Sequence, residues 1–180
     1  MNRKVVLHIV TLLTATLLTY FWVTDETLVD YSLQLTGILL LTLILSHRLL
    51  KTSSFKLVES VVTTVSVLLV TSSSGGLSSP LFFLNLLLLF ELSLLLEPII
   101  PVVLSLGFIF FYFYSHQLGN SPFLLVTLFS FPLMTPLAYF FGKIYLKEEH
   151  QKVEIKHLEN KIEELKEEII EEEISNDSKK

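Results

Sequence analysis

Cysteine is absent from the 180 residues, which removes disulfides, thiol redox switching and thiolate metal sites without indicating a compartment. Charge is scarce as well: 17% of residues are charged, against 51% hydrophobic and 12% aromatic. That is too little charge for an ordinary soluble domain. The shortage is regional. Residues 1–146 carry six Lys/Arg and six Asp/Glu, and residues 147–180 carry seven Lys and twelve Asp/Glu, so the net charge of −5 lies in the tail. Two different solvents are implied. Nucleophile–base triads, metal-ligand clusters and phosphate-cradling loops are also missing, so the chain is not expected to be an enzyme, nor to hold a metal. Nucleic acid is not expected as a partner.

What the sequence has instead is long apolar runs. A spanning helix needs roughly 17 to 25 mostly apolar residues to cross about 30 Å of hydrocarbon. Val5–Val23 follows Arg3 and Lys4, is long for a signal-peptide core and is not followed by an A-x-A-like cleavage site, so it reads as a retained anchor. Tyr31–Ser46, Leu57–Thr71, Leu81–Leu96, Ile99–Tyr114 and Phe123–Gly142 follow. The fold class expected is all-α: a polytopic six-helix transmembrane bundle over 1–146, a cytoplasmic amphipathic, coiled-coil-like helix over 147–174 and a disordered tail over 175–180. The fourth and fifth runs are short and joined by Glu97-Pro98, so a re-entrant hairpin there stays open as an alternative.

Lys and Arg near the spans set orientation, because cytoplasmic loops retain positive charge. Arg3 and Lys4, then Arg48, Lys51 and Lys56, then Lys143 and Lys147 share one side of the six-span scheme. The loops at 24–30, 72–80 and 115–122 contain no Lys or Arg. An inner-membrane protein with both termini in the cytoplasm is expected, its lipid bilayer being the first partner. Tyr20, Trp22, Tyr31, Tyr112 and Tyr114 fit an aromatic belt at the outer surface.

The outer loop Ser72–Pro80 reads SSSGGLSSP, longer than a turn requires. Gly75 and Gly76 permit positive φ, Ser78 or Ser79 can cap a helix, and Pro80 suits its first turn. The same features expose backbone N–H groups at a helix terminus to a flat head group. Gly75-Gly76-Leu77-Ser78-Ser79-Pro80-Leu81-Phe82 resembles the Gly-Gly-x-x-Asn-Pro-Phe heptapeptide of RegB-type redox-sensing histidine kinases. In that family the heptapeptide lies in an outer loop between the third and fourth of six membrane helices and is implicated in quinone binding. Ser79 stands in place of Asn and Leu81 in place of Phe, with Phe82 following. The resemblance implies a membrane input domain over 1–146 and a quinone; the residues alone assign no cofactor. The kinase half has no counterpart in residues 147–180, where His150 and His157 lack the Arg-Thr-Pro run that follows the phosphoacceptor.

Within the spans, Glu91 and Asn85 of the fourth run are the polar residues most in need of a reason, because an ionisable group at membrane depth costs about 2.5–3.5 kcal/mol on insertion scales. His8 and Glu59 are the partners considered for Glu91; an internally hydrogen-bonded structural acid is the plainer reading. The ligand-site set is therefore Gly75, Gly76, Ser78, Ser79, Pro80, Phe82, Asn85 and Glu91.

In the tail, Ile155, Leu158, Ile162, Leu165 and Ile169 recur at spacings of 3, 4, 3 and 4, an apolar seam along one helix face. Ile at a and Leu at d favours parallel two-stranded coils. A parallel homodimer would set Glu154 against Glu159, Lys161 against Lys166 and Glu168 against Glu173. Those like charges favour another helix as partner, in the cytoplasm or at the membrane; a homo-oligomer stays open. The leading expectation is a small membrane sensor or receptor-like module that signals through this helix, with Pro132 and Pro136 of the sixth span as a hinge. A membrane anchor or scaffold recruiting through the coil, and a small transporter subunit using Glu91, are the alternatives.

Overall fold

The computed structural model describes residues 3–49, 52–115 and 122–177. Six α-helices hold nearly all of them: α1 Arg3–Thr24, α2 Ser32–Leu49, α3 Thr52–Ser73, α4 Phe83–Leu95, α5 Ile99–Tyr114 and α6 Pro122–Asp177. There is no strand among the described residues, and the chain is an all-α, polytopic six-helix protein. Lys51, residues 116–121 of the expected third outer loop and residues 178–180 of the expected tail lie outside the described residues. Helix α6 continues through Ser175, Asn176 and Asp177. The chain divides into two compact units, Met1–Lys143 and Ile144–Lys180.

In the first unit, α1, α2, α3 and the α6 segment are each long and apolar enough to cross a membrane, whereas α4 and α5 are shorter apolar helices of 13 and 16 residues. Threonines and serines scattered through the long spans do not break them. Most of their hydroxyls donate to carbonyls about one turn back, as in Thr16 to Leu12 (2.9 Å), Thr64 to Ser60 (2.6 Å) and Thr135 to Phe131 (2.7 Å), while those of Ser32, Ser66 and Ser72 find no partner. A hydroxyl so paired enters an apolar medium without an unmet donor.

Helix α3 is the hub, touching α1, α2 and α4, while α5 lies against α1 and α4. The core holds Leu12, Leu68, Leu88, Leu89, Leu92, Ile100, Leu104, Phe108 and Phe131, all at most 1% exposed. The outer faces are as apolar as the core: Leu18, Leu33, Leu41, Ile44, Val126 and Leu133 are each more than 60% exposed. In water such a surface would drive association, but against lipid tails it costs nothing. Helix α2 is the most peripheral, with only Ser32 and Thr36 buried.

Neighbouring contacts fix helix direction and depth. Asn85 meets Thr71 and Glu91 stands beside Thr63, so α4 runs antiparallel to α3. Phe82 meets Phe131 and Phe90 meets Phe141, so α4 and α6 run parallel. Gly107 meets Leu13 and Phe111 meets Tyr20, so α5 and α1 run parallel. Extending each register at about 1.5 Å per residue places the Glu97-Pro98 turn beside Leu57–Glu59 of α3, within about a turn of Lys143, and near Val5–His8 of α1. The α4–α5 pair therefore reaches the basic end of the bundle.

Candidate functional site

The loop between α3 and α4 is folded rather than slack. Gly75 and Gly76 adopt φ of 117° and 60°, the left-handed region where a side chain is strained. The chain then winds through a 3-10 turn at Gly76–Ser78. Ser78 N–H donates to the Gly75 carbonyl, Ser79 N–H to Gly76, and Phe82 N–H to Ser79, each at 3.1 Å. Ser79 Oγ accepts from Leu81 N–H (3.0 Å) and shares a 2.6 Å hydrogen bond with Ser74 Oγ, which ties the start of α4 to the end of α3. Most of the loop's donors are thus met within the loop. Gly75, Ser78 and Pro80 are exposed and Gly76 and Ser79 buried, while Leu77, 2% exposed, plugs into the hydrophobic core.

Below the plug lies a layer of rings. Phe82 meets Tyr112 (5.8 Å between centroids) and Phe131 (5.4 Å), and Phe108 also meets Phe131 (5.6 Å), mostly edge to face. The layer joins α4, α5 and α6. Tyr112 corrects one expectation: it is fully buried and faces the bundle interior rather than the surroundings, whereas Tyr114 is 57% exposed. The helical period explains the difference, because Tyr112 lies four residues after buried Phe108, on the inward stripe of α5.

Asn85 sits in the same layer with no exposed surface. Its Nδ2 donates to Thr71 Oγ1 and to the Phe82 carbonyl, both at 3.2 Å, and the Tyr112 hydroxyl lies against Asn85 and Thr71. Neither Asn85 Oδ1 nor the Tyr112 hydroxyl makes a hydrogen bond of good geometry. The result is a neutral polar trio from α3, α4 and α5 beneath the loop. It carries no charge for acid–base work.

Glu91 does not join this group. It lies almost two turns further along α4, exposed, beside Glu59 and Thr63 of α3. The loop, Phe82 and Asn85 are therefore brought together, and Glu91 stands apart towards the basic end. His8 is half-buried on α1. No group of three or more His, Asp or Glu suited to a metal occurs among the described residues. An open apolar groove of about 400 Å³ runs between α1 and α5, floored by Gly107 and edged by Leu13, Leu17, Tyr20 and Tyr114; it includes no residue of the expected site.

In the second unit the seam is bare: Ile155, Leu158, Ile162, Leu165 and Ile169 are each 52–57% exposed. Lys152 and Glu148 pair at 2.8 Å, one turn apart.

Thr71, Leu77, Tyr112 and Phe131 were not anticipated as parts of the site. Leu77 stood out only as the one large apolar residue within the Ser72–Pro80 loop; for the other three the sequence signal is helical phase, which requires knowing which helices are neighbours. Compared with protein-family models, curated proteins and solved structures, the chain matches none.

Proposed function

We propose that the chain is a small integral-membrane sensor module whose outer loop detects a membrane-borne ligand and whose α6 passes the response to a cytoplasmic partner. The observation that carries this reading is that Leu77 and Phe82 root the loop in the same ring layer as Phe131 of α6. A ligand that displaces the loop must disturb α6, and any ligand that favours one of the two arrangements shifts their populations. Helix α6 continues to Asp177 and bears the exposed seam. The resemblance of Gly75–Phe82 to the RegB-type heptapeptide makes a quinone the ligand to test first. Asn85 and Tyr112 supply neutral hydrogen-bonding groups suited to a carbonyl or hydroxyl on a ring.

The proposed setting is a cell inner membrane with both termini in the cytoplasm, from the grouping of Arg3, Lys4, Arg48, Lys56 and Lys143. The test is binding of a quinone analogue to purified protein, parent against Gly75→Val with Gly76→Val. Both side chains would enter left-handed positions, so binding is expected to weaken while membrane insertion persists. Undiminished binding, or none in the parent, moves the balance to the scaffold reading. That reading draws on the loop's internally satisfied donors and needs only the seam.

A further inference from the structure

The seam's partner is specified by the charges beside it. With Ile155, Ile162 and Ile169 at a and Leu158 and Leu165 at d, the g positions are Lys147, Glu154, Lys161 and Glu168, and the e positions are Lys152, Glu159, Lys166 and Glu173. Both flanks alternate in sign heptad by heptad, and they do so in the same phase. Parallel coils set each g residue against the e residue five further along the partner. A second copy in register therefore meets Lys with Lys and Glu with Glu at every such contact.

Copies anchored in one bilayer by identical spans present their helices in the same direction and at the same height, which imposes that register. A shift of one heptad would convert every contact to Lys against Glu, but it would need one copy to stand about 10 Å higher than the other. Among the described residues, Glu154, Glu159, Lys161 and Lys166 form no ion pair within their own helix; the one ion pair is Glu148 with Lys152. The flanking charges are thus available to an outside helix along with the bare seam.

We infer that the seam of α6 docks a helix of another protein, parallel to it, with an apolar seam of matching length flanked by charges alternating in the opposite phase: Glu opposite Lys147 and Lys161, Lys or Arg opposite Glu154 and Glu168, and likewise along the e flank. The alternation works as a code that rejects the chain's own copy while admitting its complement. The inference deepens the proposed function, resting on its reading of α6 as the output. It stands apart from the ligand: loss of quinone-analogue binding would leave the docking test unaffected.

The test uses the full chain in lipid nanodiscs, titrated at low salt with two labelled synthetic helices. Both carry the Ile/Leu seam; one has the complementary phase and the other copies this chain's phase. The complementary helix should bind at least about tenfold more tightly, and the gap should shrink as salt is raised. In the variant Glu154→Lys, Glu159→Lys, Lys161→Glu and Lys166→Glu, which inverts half of the flanking contacts and leaves those of Lys147, Lys152, Glu168 and Glu173 in place, the preference should vanish, and a preference kept at its parent size overturns the inference. In the parent, equal binding, failure of both helices to bind, or tighter binding of the same-phase helix overturns the inference. Efficient disulfide formation between copies carrying Ile162→Cys in membranes would also overturn it, by making a second copy the occupant.

Discussion

Helices α4 and α6 touch at one point where a single methyl group should be felt. A Cβ placed on Gly142 falls on Ser93 Oγ and lies 2.6 Å from the Ser93 carbonyl oxygen and 3.1 Å from Ser93 Cβ. Ser93 is fully buried, and its hydroxyl donates to the Ala138 carbonyl at 2.5 Å. Gly142→Ala must therefore separate the helices and break that bond. Overpacking costs about 1–3 kcal/mol, and a buried hydroxyl left without its partner costs about 1–3 kcal/mol. Relaxation shares part of both, so a net loss of about 2–4 kcal/mol is expected. Ser93→Ala alone removes only an interhelical hydrogen bond, worth about 0.6–2 kcal/mol in membranes. Ser93→Gly with Gly142→Ala should recover the share due to the Ser93 side chain, giving a coupling energy of about 1 kcal/mol, while the approach to the residue-93 carbonyl oxygen keeps the rest of the loss. Stability would be read in detergent micelles by SDS titration, following helicity and the fluorescence of Trp22, the one tryptophan. Two other glycines calibrate the scale. A Cβ on Gly107 meets only the flexible end of Leu13 at 3.2 Å, and one on Gly37 meets nothing within 4 Å. Gly107→Ala should thus cost little, and Gly37→Ala should stabilise by up to about 1 kcal/mol through helix propensity. Parent-like stability in Gly142→Ala, or strict additivity with Ser93→Gly, would refute the α4–α6 contact and the register drawn from it.

Leu77→Ala should destabilise the bundle by about 2–5 kcal/mol as a buried-leucine truncation, and hydrogen exchange in residues 74–82 should quicken. If the loop were slack, neither effect would appear. The turn after α1 should respond to acid. Asp25 Oδ1 accepts from Thr27 N–H (2.9 Å), Thr27 Oγ1 (2.6 Å) and Leu28 N–H (3.1 Å), and these bonds hold its carboxyl below the usual carboxylate range. A depressed folded pKa means that the turn's stabilisation is present above the ordinary carboxylate pKa and lost as pH falls through the depressed one. NMR titration should show Thr27 and Leu28 amide shifts following Asp25 at that lower pH, and Asp25→Asn should flatten the response. A midpoint at or above the usual value would contradict the turn.

The helices were legible in the sequence because membrane spans obey a length and polarity rule that needs no tertiary knowledge. Ile99–Tyr114 was read to the residue, and α1 and α2 differ from their expected runs by a few residues at each end. Within the candidate site, Gly75, Gly76, Phe82 and Asn85 were visible through glycine's conformational freedom and the rarity of an amide among leucines. Tyr112 was not, because an aromatic near a helix end suits a surface belt as well as a core. Only the placement of α5 beside α4 decides that Tyr112 turns inward and Tyr114 outward. Glu91 shows the opposite limit: its rarity drew attention, but rarity cannot say which end of the bundle a residue serves. The α3–α4 register, which is not readable along a single chain, puts it beside Glu59, one of the two partners considered for it.

The helix registers also bear on the short pair α4 and α5. At about 1.5 Å per residue, α4 rises only about 20 Å, against roughly 30 Å of hydrocarbon, which is why a half-depth hairpin was open. The N-terminal end of α4 is level with the end of α3, since Asn85 meets Thr71. Its C-terminal end reaches within about a turn of the residues flanking Lys56 and Lys143. Glu97, just beyond that end, is exposed beside buried Pro98, as a side chain that snorkels would be. Sidedness is indifferent to the outcome. A hairpin returns the chain to the side it left, and two full crossings do the same, so α6 starts from the same side in both schemes. The positive residues at Arg3, Arg48, Lys56 and Lys143 then fall together however α4 and α5 are counted, and only Glu97-Pro98 changes its surroundings.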